Sequence, residues 1–457
     1  ALPAFHLNEK EITIMWLLLL LVLAIVFIVL ATTTLKLHPF LALLITAFGF
    51  GILSGMPLPD VVKSVNDGFG GTIGYIGIVI LAGSIIGTFL EKSGGAYRLA
   101  TSILRLTGEK NVPLAMAGVG YVVSIPVFCD SGFVLLSPLM KALARKAGIT
   151  LAASAIALSL GLYATHTMVP PTPGPVAAAG IIGADLGLTI MWGLLVSLCA
   201  LVVGWLFATF FASRIHVPAD SAAEMVELSP EDSPSVGKSL LPILLPIALI
   251  VLRSIAELPE KPFGAGPVIG LLGFLGQPVV ALLIGVALAT LLPKKLDRAM
   301  LSSGGWVGEA ILAAATIIII TGAGGAFGKV LQNSGIAKII GENLTGSPMG
   351  ILLPFVIAAG IKTAQGSSTV AIITTASLVA PLLASLGLDS DTAKALVVVA
   401  IGAGAMVVSH ANDSFFWVVT QFSGMDVQTG YRLQTLGTLV QGTAAAATVY
   451  VISLIVL

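Results

Sequence analysis

The chain has 457 residues, of which 57% are hydrophobic and only 10% are charged. A soluble domain is typically about 45–50% apolar and about 25% charged, and the mean hydropathy here is +1.05. This composition excludes a water-soluble, fibrous or disordered protein, because the surplus of apolar side chains must face lipid. The 22 basic residues equal the 22 acidic residues in number. The chain therefore lacks the positive net charge that would indicate a nucleic-acid partner. We therefore predict an all-α polytopic membrane protein.

Ten apolar segments are each long enough to cross a bilayer, which takes roughly 20 residues. They follow residues 1–11, which are predicted to be a polar stub. In chain order the ten segments are Thr13–Ala31, His38–Gly55, Ile73–Leu90, Leu151–Val169, Leu188–Ala212, Ser239–Ala256, Val268–Leu292, Ala310–Val330, Thr392–His410 and Leu433–Leu457.

Two further apolar stretches, residues 112–147 and 349–387, are broken at their middle by small and polar residues. Cys129–Gly132 interrupts the first stretch, and Gln365–Thr369 interrupts the second. Non-helical backbone at membrane depth persists only where protein or a water-lined cavity surrounds it. Each stretch is therefore predicted to be a re-entrant helical hairpin.

Two of the crossing helices are predicted to be broken as well. The helix at residues 151–183 is interrupted at His166–Pro175, and the helix at residues 391–420 is interrupted at Ser409–Ser414. The first break contains four prolines within six residues, a density that ends a helix. A simple proline kink, common in membrane helices, is the alternative.

An internal repeat divides the chain. Ala82–Ala96 aligns without gaps with Ala323–Ala337 at a constant offset of 241 residues (323 − 82). We predict a first repeat at residues 12–212, a cytoplasmic linker at 213–238 and a second repeat at 239–457. Five crossings per repeat is an odd number, so the two repeats must lie inverted, as is typical of secondary transporters. The identical aligned positions are Ala82, Gly83, Gly87, Leu90, Ser93, Gly94 and Ala96.

The lysines and arginines set the predicted orientation. With both chain termini outside, more of them fall on the cytoplasmic side than on the outer side, as the positive-inside rule requires. The first hairpin then enters from the cytoplasm and the second from outside.

The four interruptions fall near the bilayer midplane, and a new half-helix begins after each. A helix N-terminus offers free N–H groups and a positive dipole end, which together bind anions. Four converging N-termini flanked by hydroxyls and amides would suit a small polyhydroxylated carboxylate. Lys362 has two interpretations, as a partner of the substrate carboxylate or as a side chain that snorkels to the interface. The predicted substrate-binding residues are Ser131, Gly132, Thr172, Gly174, Lys362, Gly366, Ser367, Ser368, Thr369 and Asn412.

Four titratable residues are candidates for proton coupling: Asp130, His166, His410 and Asp413. A carboxylate without a role is costly at membrane depth, which favours function for the two aspartates. For each histidine the alternative is a buried ring hydrogen-bonded to backbone. A sodium site made of carbonyls and hydroxyls at the second tip is the alternative to protons. No metal, cofactor or nucleotide motif is recognised, so ATP-driven pumping is not expected.

Seven short motifs spread over nearly the whole chain carry a family resemblance. They are Leu41–Leu44, Gly55–Leu58, Gly68–Gly74, Gly132–Leu135, Pro170–Pro175, Gly322–Phe327 and Gly366–Ala371. In these motifs the sequence resembles the gluconate permease family, the gluconate:proton symporters of the ion transporter superfamily. The resemblance implies proton-coupled uptake of gluconate or a related sugar acid across a bacterial inner membrane. It also implies an elevator-like mechanism on a scaffold that is often a homodimer.

Three positions depart from the family pattern. Asp130 and Ser131 stand where gluconate transporters tend to have Glu and Val, and Thr172 stands where many members have His. Lys362 occupies a position often held by Arg, which grips a carboxylate more rigidly. Glycerate, another aldonate or D-serine therefore remains an alternative substrate. A passive organic-anion channel is the alternative from another class, and no motif supports an enzyme.

Overall fold

The computed structural model describes residues 9–107, 111–218, 233–256, 263–264, 266–335, 350–410 and 413–457. Within these ranges every regular element is a helix, which confirms the predicted all-α class. The candidate Asn412 and most of the predicted linker lie outside the described residues.

In the first half of the chain, apolar helices are separated by short turns. Four of them carry proline in the first turn, where its missing N–H costs nothing. The helices are α1 (Glu9–Thr33), α2 (Pro39–Leu53), α3 (Leu58–Lys92), α4 (Gly95–Thr107), α5 (Val112–Val123), α6 (Cys129–Lys146), α7 (Leu151–Met168), α8 (Pro173–Ile182) and α9 (Leu186–Phe210).

The second half follows a similar order. A π-helical turn, Tyr431–Thr435, joins its last two helices. The helices are α10 (Val236–Ala256), α11 (Pro267–Leu275), α12 (Pro278–Ala289), α13 (Trp306–Asn333), α14 (Leu352–Gln365), α15 (Ser368–Val379), α16 (Asp391–Ala405), α17 (Ser414–Phe422), α18 (Val427–Gly430) and α19 (Leu436–Val456).

The helix lengths support fewer crossings than the ten predicted. Six helices in the described ranges are long and apolar enough to span a membrane, and two bent pairs raise the number to eight. The other two predicted crossings correspond to α2 and α16, each of 15 residues. Such a helix is about 22 Å long, shorter than the roughly 30 Å hydrocarbon core. Ten crossings therefore remain a prediction.

Both bent pairs differ from the straight spans expected from sequence. The segment predicted at Ile73–Leu90 is the second part of α3, which begins at Leu58 and bends by 42° between Tyr75 and Gly77. The span predicted at Val268–Leu292 consists of α11 and α12, which meet at 68°. The second bend arises because α11 ends at Leu275, with Gly276 as its C-cap, and proline starts a new helix at position 278.

The centre of the molecule contains the elements that carry the predicted site. Every residue of α7 is buried, and so is every residue of α15 except the half-buried Thr369, whereas less than a third of the spans containing α1, α9 and α19 is buried. A helix that is buried on all sides belongs to the interior of a large helical protein. Helix α7 packs on α5, α6, α9 and α16, and α15 packs on α8, α13, α14 and α16.

Candidate functional site

Four helices begin within or directly after the predicted interruptions. They are α6 at Cys129, α8 at Pro173, α15 at Ser368 and α17 at Ser414. The hydroxyl of Ser367 caps α15 by accepting the N–H of Val370 at 3.3 Å. The carboxylate of Asp413 caps α17 by accepting the N–H of Phe415 at 3.1 Å. These caps show why the chain restarts its helices at these positions.

Each hairpin tip lies against the broken helix of the other half. A Cβ atom on Gly174 in α8 would lie 2.9 Å from Cδ1 of Ile372 and 3.9 Å from Cα of Thr369, both in α15. The rings of Phe133 in α6 and Phe415 in α17 meet edge to face, with centroids 6.2 Å apart. The four helix starts therefore form two close pairs, each with one member from each half of the chain.

A buried ion pair lies at the second tip. Lys362, in the last turn of α14, is fully buried, and its Nζ lies 2.6 Å from Oδ2 of Asp413. The same ammonium donates to the carbonyl of Gly366, and the hydroxyl of Ser409 donates to Oδ2 of Asp413 at 2.6 Å. A side chain that snorkels to the interface is incompatible with this burial. A buried pair of this kind persists only when further hydrogen bonds satisfy both charges.

Tyr163 joins the two halves at this pair, and the sequence analysis missed it. Its hydroxyl lies 2.5 Å from Oγ of Ser368 and 3.3 Å from Oδ2 of Asp413. Its ring lies 5.1 Å from that of Phe415. The one available signal was a phenol within the apolar run of α7, because a buried tyrosine usually needs a polar partner.

Asp130 and His166 lie near the same carboxylate. Both are within electrostatic range of Asp413. Oδ1 of Asp130 and Nδ1 of His166 are buried without a hydrogen-bond partner among the described residues. Buried polar atoms are normally hydrogen-bonded, so two exceptions in one place are consistent with a position that binds a proton or a polar ligand.

His410 is held by the backbone. Its Nε2 lies 2.8 Å from the carbonyl oxygen of Thr363, and its ring stacks on Tyr431 of the π-helical turn with centroids 6.4 Å apart. The N–H of the preceding residue, Ser409, donates to Oγ1 of Thr438 at 3.0 Å. The break before α17 is therefore anchored on the last long helix.

Two of the predicted substrate-binding positions are backbone features. Gly366 has a φ of +92°, which glycine adopts at little cost. A Cβ on Gly132 would lie 2.8 Å from Cδ2 of Leu162, so this position brings α6 close to α7. Both glycines shape the tips whether or not they contact substrate.

Two predicted hydroxyls differ in their surroundings. Thr172 is the N-cap residue of α8, and its hydroxyl donates to the carbonyl of Val169 at 2.5 Å. Ser131 lies in the first turn of α6 and is half-buried. The structure therefore gives the hydroxyl of Thr172 a local partner and leaves Ser131 at the edge of the tip.

Comparison with known proteins identifies strong similarity over the whole length. The model of the GntP family permeases matches residues 16–455. A gluconate permease of Pseudomonas aeruginosa is 37% identical over 424 residues, which cover 89% of this chain and 91% of that protein. The D-serine transporter DsdX of Escherichia coli is 35% identical over 447 residues, which cover 96% and 99% respectively.

The fold is shared with solved transporter structures. The YdaH transporter of Alcanivorax borkumensis superposes with a TM-score of 0.66 at 15% identity, covering 91% of this chain and 98% of that one. MtrF of Neisseria gonorrhoeae, described within a class of antimetabolite efflux pumps, gives 0.65 at 15% identity and covers 92% and 96%. At this level of identity the likeness concerns the fold alone.

Proposed function

The chain belongs to the GntP family of permeases, and from this premise we propose that it imports gluconate or a related small hydroxycarboxylate by proton symport. Its family and its relatives are permeases and not enzymes. It is a multi-pass membrane protein. An inner-membrane location is proposed because one relative, YgbN of Escherichia coli, carries the name inner membrane permease.

The main observation that supports a carboxylate substrate is the buried ammonium of Lys362 next to the start of α15. It lies one turn before Gly366, whose carbonyl it contacts, and Ser368 begins the helix two residues later. An ammonium and free helix N–H groups recognise a carboxylate. Hydroxyls of the same tip, at Ser367, Ser368 and Thr369, suit the hydroxyls of a sugar acid.

Proton coupling is proposed from the cluster around Asp413. Asp130 and His166 lie in its electrostatic range, and each has a buried atom without a partner among the described residues. Membrane transporters commonly relay protons through such carboxylate and imidazole groups. Sodium, held by carbonyls and hydroxyls of the second tip, is the competing coupling ion.

Two inverted repeats are proposed from the spacing of the helices, and an elevator-like movement is proposed from the family resemblance. The starts of α8 and α17 are 241 residues apart (414 − 173), the offset of the sequence repeat. The predicted repeats at 12–212 and 239–457 therefore each contain one hairpin and one broken helix. In this proposal α6, α7, α8, α15 and α17 carry the substrate past the outer helices.

The experiment is uptake of labelled gluconate into proteoliposomes under an inward proton gradient. We expect accumulation above equilibrium that collapses on addition of a protonophore. Unlabelled glycerate and D-serine serve as competitors, since the DsdX relative makes D-serine the second candidate. Equal equilibration with and without the gradient would reject proton coupling and favour a passive anion channel. A sodium gradient that drives accumulation without a proton gradient would reassign the coupling ion.

A further inference from the structure

We propose that Lys362 and Asp413 couple the proton to the substrate by exchanging partners: protonation of Asp413 releases Lys362 to bind the substrate carboxylate. This inference rests on the proposed function and concerns how that site works. It assigns the proton to one of the four titratable candidates and gives Lys362 two successive partners.

The geometry of the ammonium leads to this exchange. A lysine ammonium has three N–H donors, and here one serves Oδ2 of Asp413 and another the carbonyl of Gly366. The substrate carboxylate needs a cation at the start of α15, and Lys362 is the cation that the structure places there. The third donor can reach a second acceptor, but the buried ammonium carries a single positive charge that Asp413 already balances. Asp413 and the substrate therefore compete for that one charge.

The surroundings of Asp413 can accommodate its neutral form. Its Oδ1 accepts the N–H of Phe415, which an uncharged carboxyl group can also do. Its Oδ2 lies near the hydroxyls of Ser409 and Tyr163. A hydroxyl is both donor and acceptor, so either one can reverse its role and accept the proton of the carboxylic acid. A hydronium ion donates its proton to Oδ2 of Asp413, so one O–H bond breaks, another forms, and a water molecule is released.

Charge balance then makes the two loading events interdependent. The empty site holds one positive and one negative charge, and the site with proton and monoanionic substrate again holds one of each. Substrate alone would leave an uncompensated negative charge, and a proton alone an uncompensated positive charge. An unpaired charge at membrane depth is costly, so both singly loaded states are disfavoured and the proton and anion travel together.

The other titratable groups around Asp413 fit this assignment less well. Cys129 and Asp130 on α6, and Tyr163 and His166 on α7, are within its electrostatic range. His410 is the residue after Ser409, whose hydroxyl donates to Asp413. In the described part of the chain, the ion pair of Lys362 is with Asp413. Asp130 instead has the thiol of Cys129 near its Oδ2, at 3.7 Å.

The first test is Asp413→Asn, which removes the charge and keeps a good helix N-cap. We expect exchange of labelled for unlabelled gluconate across the membrane to persist, because Lys362 is permanently available. Its half-saturating concentration should no longer depend on pH, and the proton gradient should no longer drive accumulation. The matched control is Asp426→Asn, an exposed N-cap whose carboxylate accepts the N–H of Thr429 at 2.7 Å. That control should retain wild-type accumulation.

A second measurement, on the wild-type protein, stands even where the variant fails to fold. One proton with one monoanion carries no net charge, so gluconate uptake at a fixed proton gradient should not respond to a potassium diffusion potential. Stimulation by an inside-negative potential would overturn the exchange, as would gradient-driven accumulation in Asp413→Asn. Failure of the wild type to transport gluconate, glycerate or D-serine would instead reject the proposed function.

Discussion

The hydroxyl oxygen of Tyr163 lies 3.3 Å from Oδ2 of Asp413 and 2.5 Å from the hydroxyl oxygen of Ser368. One side chain of the first half therefore contacts both the tip of the second hairpin and the cap of the second broken helix. The phenol holds these two elements in register around the ion pair of Lys362.

Tyr163→Phe should retain the fold and slow transport. The ring would still pack on Phe415, but the hydroxyl that bonds to Ser368 and to the carboxylate of Asp413 would be lost. A hydrogen bond to a charged group contributes about 1.5–3 kcal/mol, so we expect uptake to fall roughly 10- to 100-fold. The measurement is the initial rate of gluconate uptake in proteoliposomes with matched protein content.

The matched control for that substitution is Tyr121→Phe. The hydroxyl of Tyr121 bonds to Ser197 at 3.0 Å and to the carbonyl of Leu194 at 3.1 Å, away from the ion pair. It should keep uptake within about twofold of wild type, the scale of a few tenths of a kcal/mol. Equal losses in both variants would assign Tyr163 a purely structural role.

Lys362→Met should destabilise the protein more than the double variant Lys362→Met/Asp413→Asn. Removing one partner of a buried ion pair leaves the other charge uncompensated, at a cost of about 3–5 kcal/mol. Replacing both partners removes that cost. Thermal unfolding of the three proteins in detergent measures the difference, and identical midpoints for the single and double variants would contradict it.

Gly161→Ala should lower the thermal stability. A Cβ at this position in α7 would collide with the backbone carbonyl of Ala117 in α5, which cannot rotate away. Overpacking of this kind costs about 1–3 kcal/mol. Gly49→Ala in α2 is the control, because nothing lies within 4 Å of its added Cβ, and it should melt at or above the wild-type temperature. A Gly161→Ala protein as stable as this control would refute the close packing of α5 and α7.

Thr438→Val should loosen the break before α17. Its hydroxyl oxygen accepts the N–H of the fully buried Ser409, and an unsatisfied buried donor costs about 1–3 kcal/mol. Thr443→Val lies in the same helix, is exposed and bonds only to carbonyls of its own helix. Hydrogen exchange of the Ser409 N–H should increase in the first variant only, and unchanged protection of that N–H would argue against the anchor.

Composition was enough to predict the all-α membrane fold, and the prolines and polar residues that interrupt apolar segments were enough to predict where helices restart. Pro173 lacks a first-turn N–H, and Ser367 and Asp413 each accept one, so these three residues mark the starts of α8, α15 and α17. The bend within α3 was not predictable, since its first turns at residues 58–72 mix polar and small residues. Hydropathy alone placed the start of that helix 15 residues too late (73 − 58).

The partners within the site were harder to predict than its members. Lys362 and Asp413 are 51 residues apart. From sequence, Lys362 was predicted either to bind the substrate carboxylate or to reach the membrane interface, and not to pair with a carboxylate of the protein. Tyr163 was missed because it lies within a largely apolar part of α7, and hydrophobic periodicity and motif spacing say nothing about contacts between the two halves. Such contacts depend on how distant helices pack together, and the local pattern of a single sequence does not reveal that packing.

Thr172 and Asp413 are both N-cap residues and stand 241 positions apart (413 − 172), yet only the second can ionise. The position matching Lys362 at the same spacing is Tyr121 (362 − 241), which is uncharged. At these two pairs of matched positions, only the second half carries a lysine and an aspartate. If the partner exchange operates, this difference between the halves sets the number of protons transported with each substrate molecule. A chain with Tyr121→Lys and Thr172→Asp would then be the starting point for building a transporter with a second coupling proton.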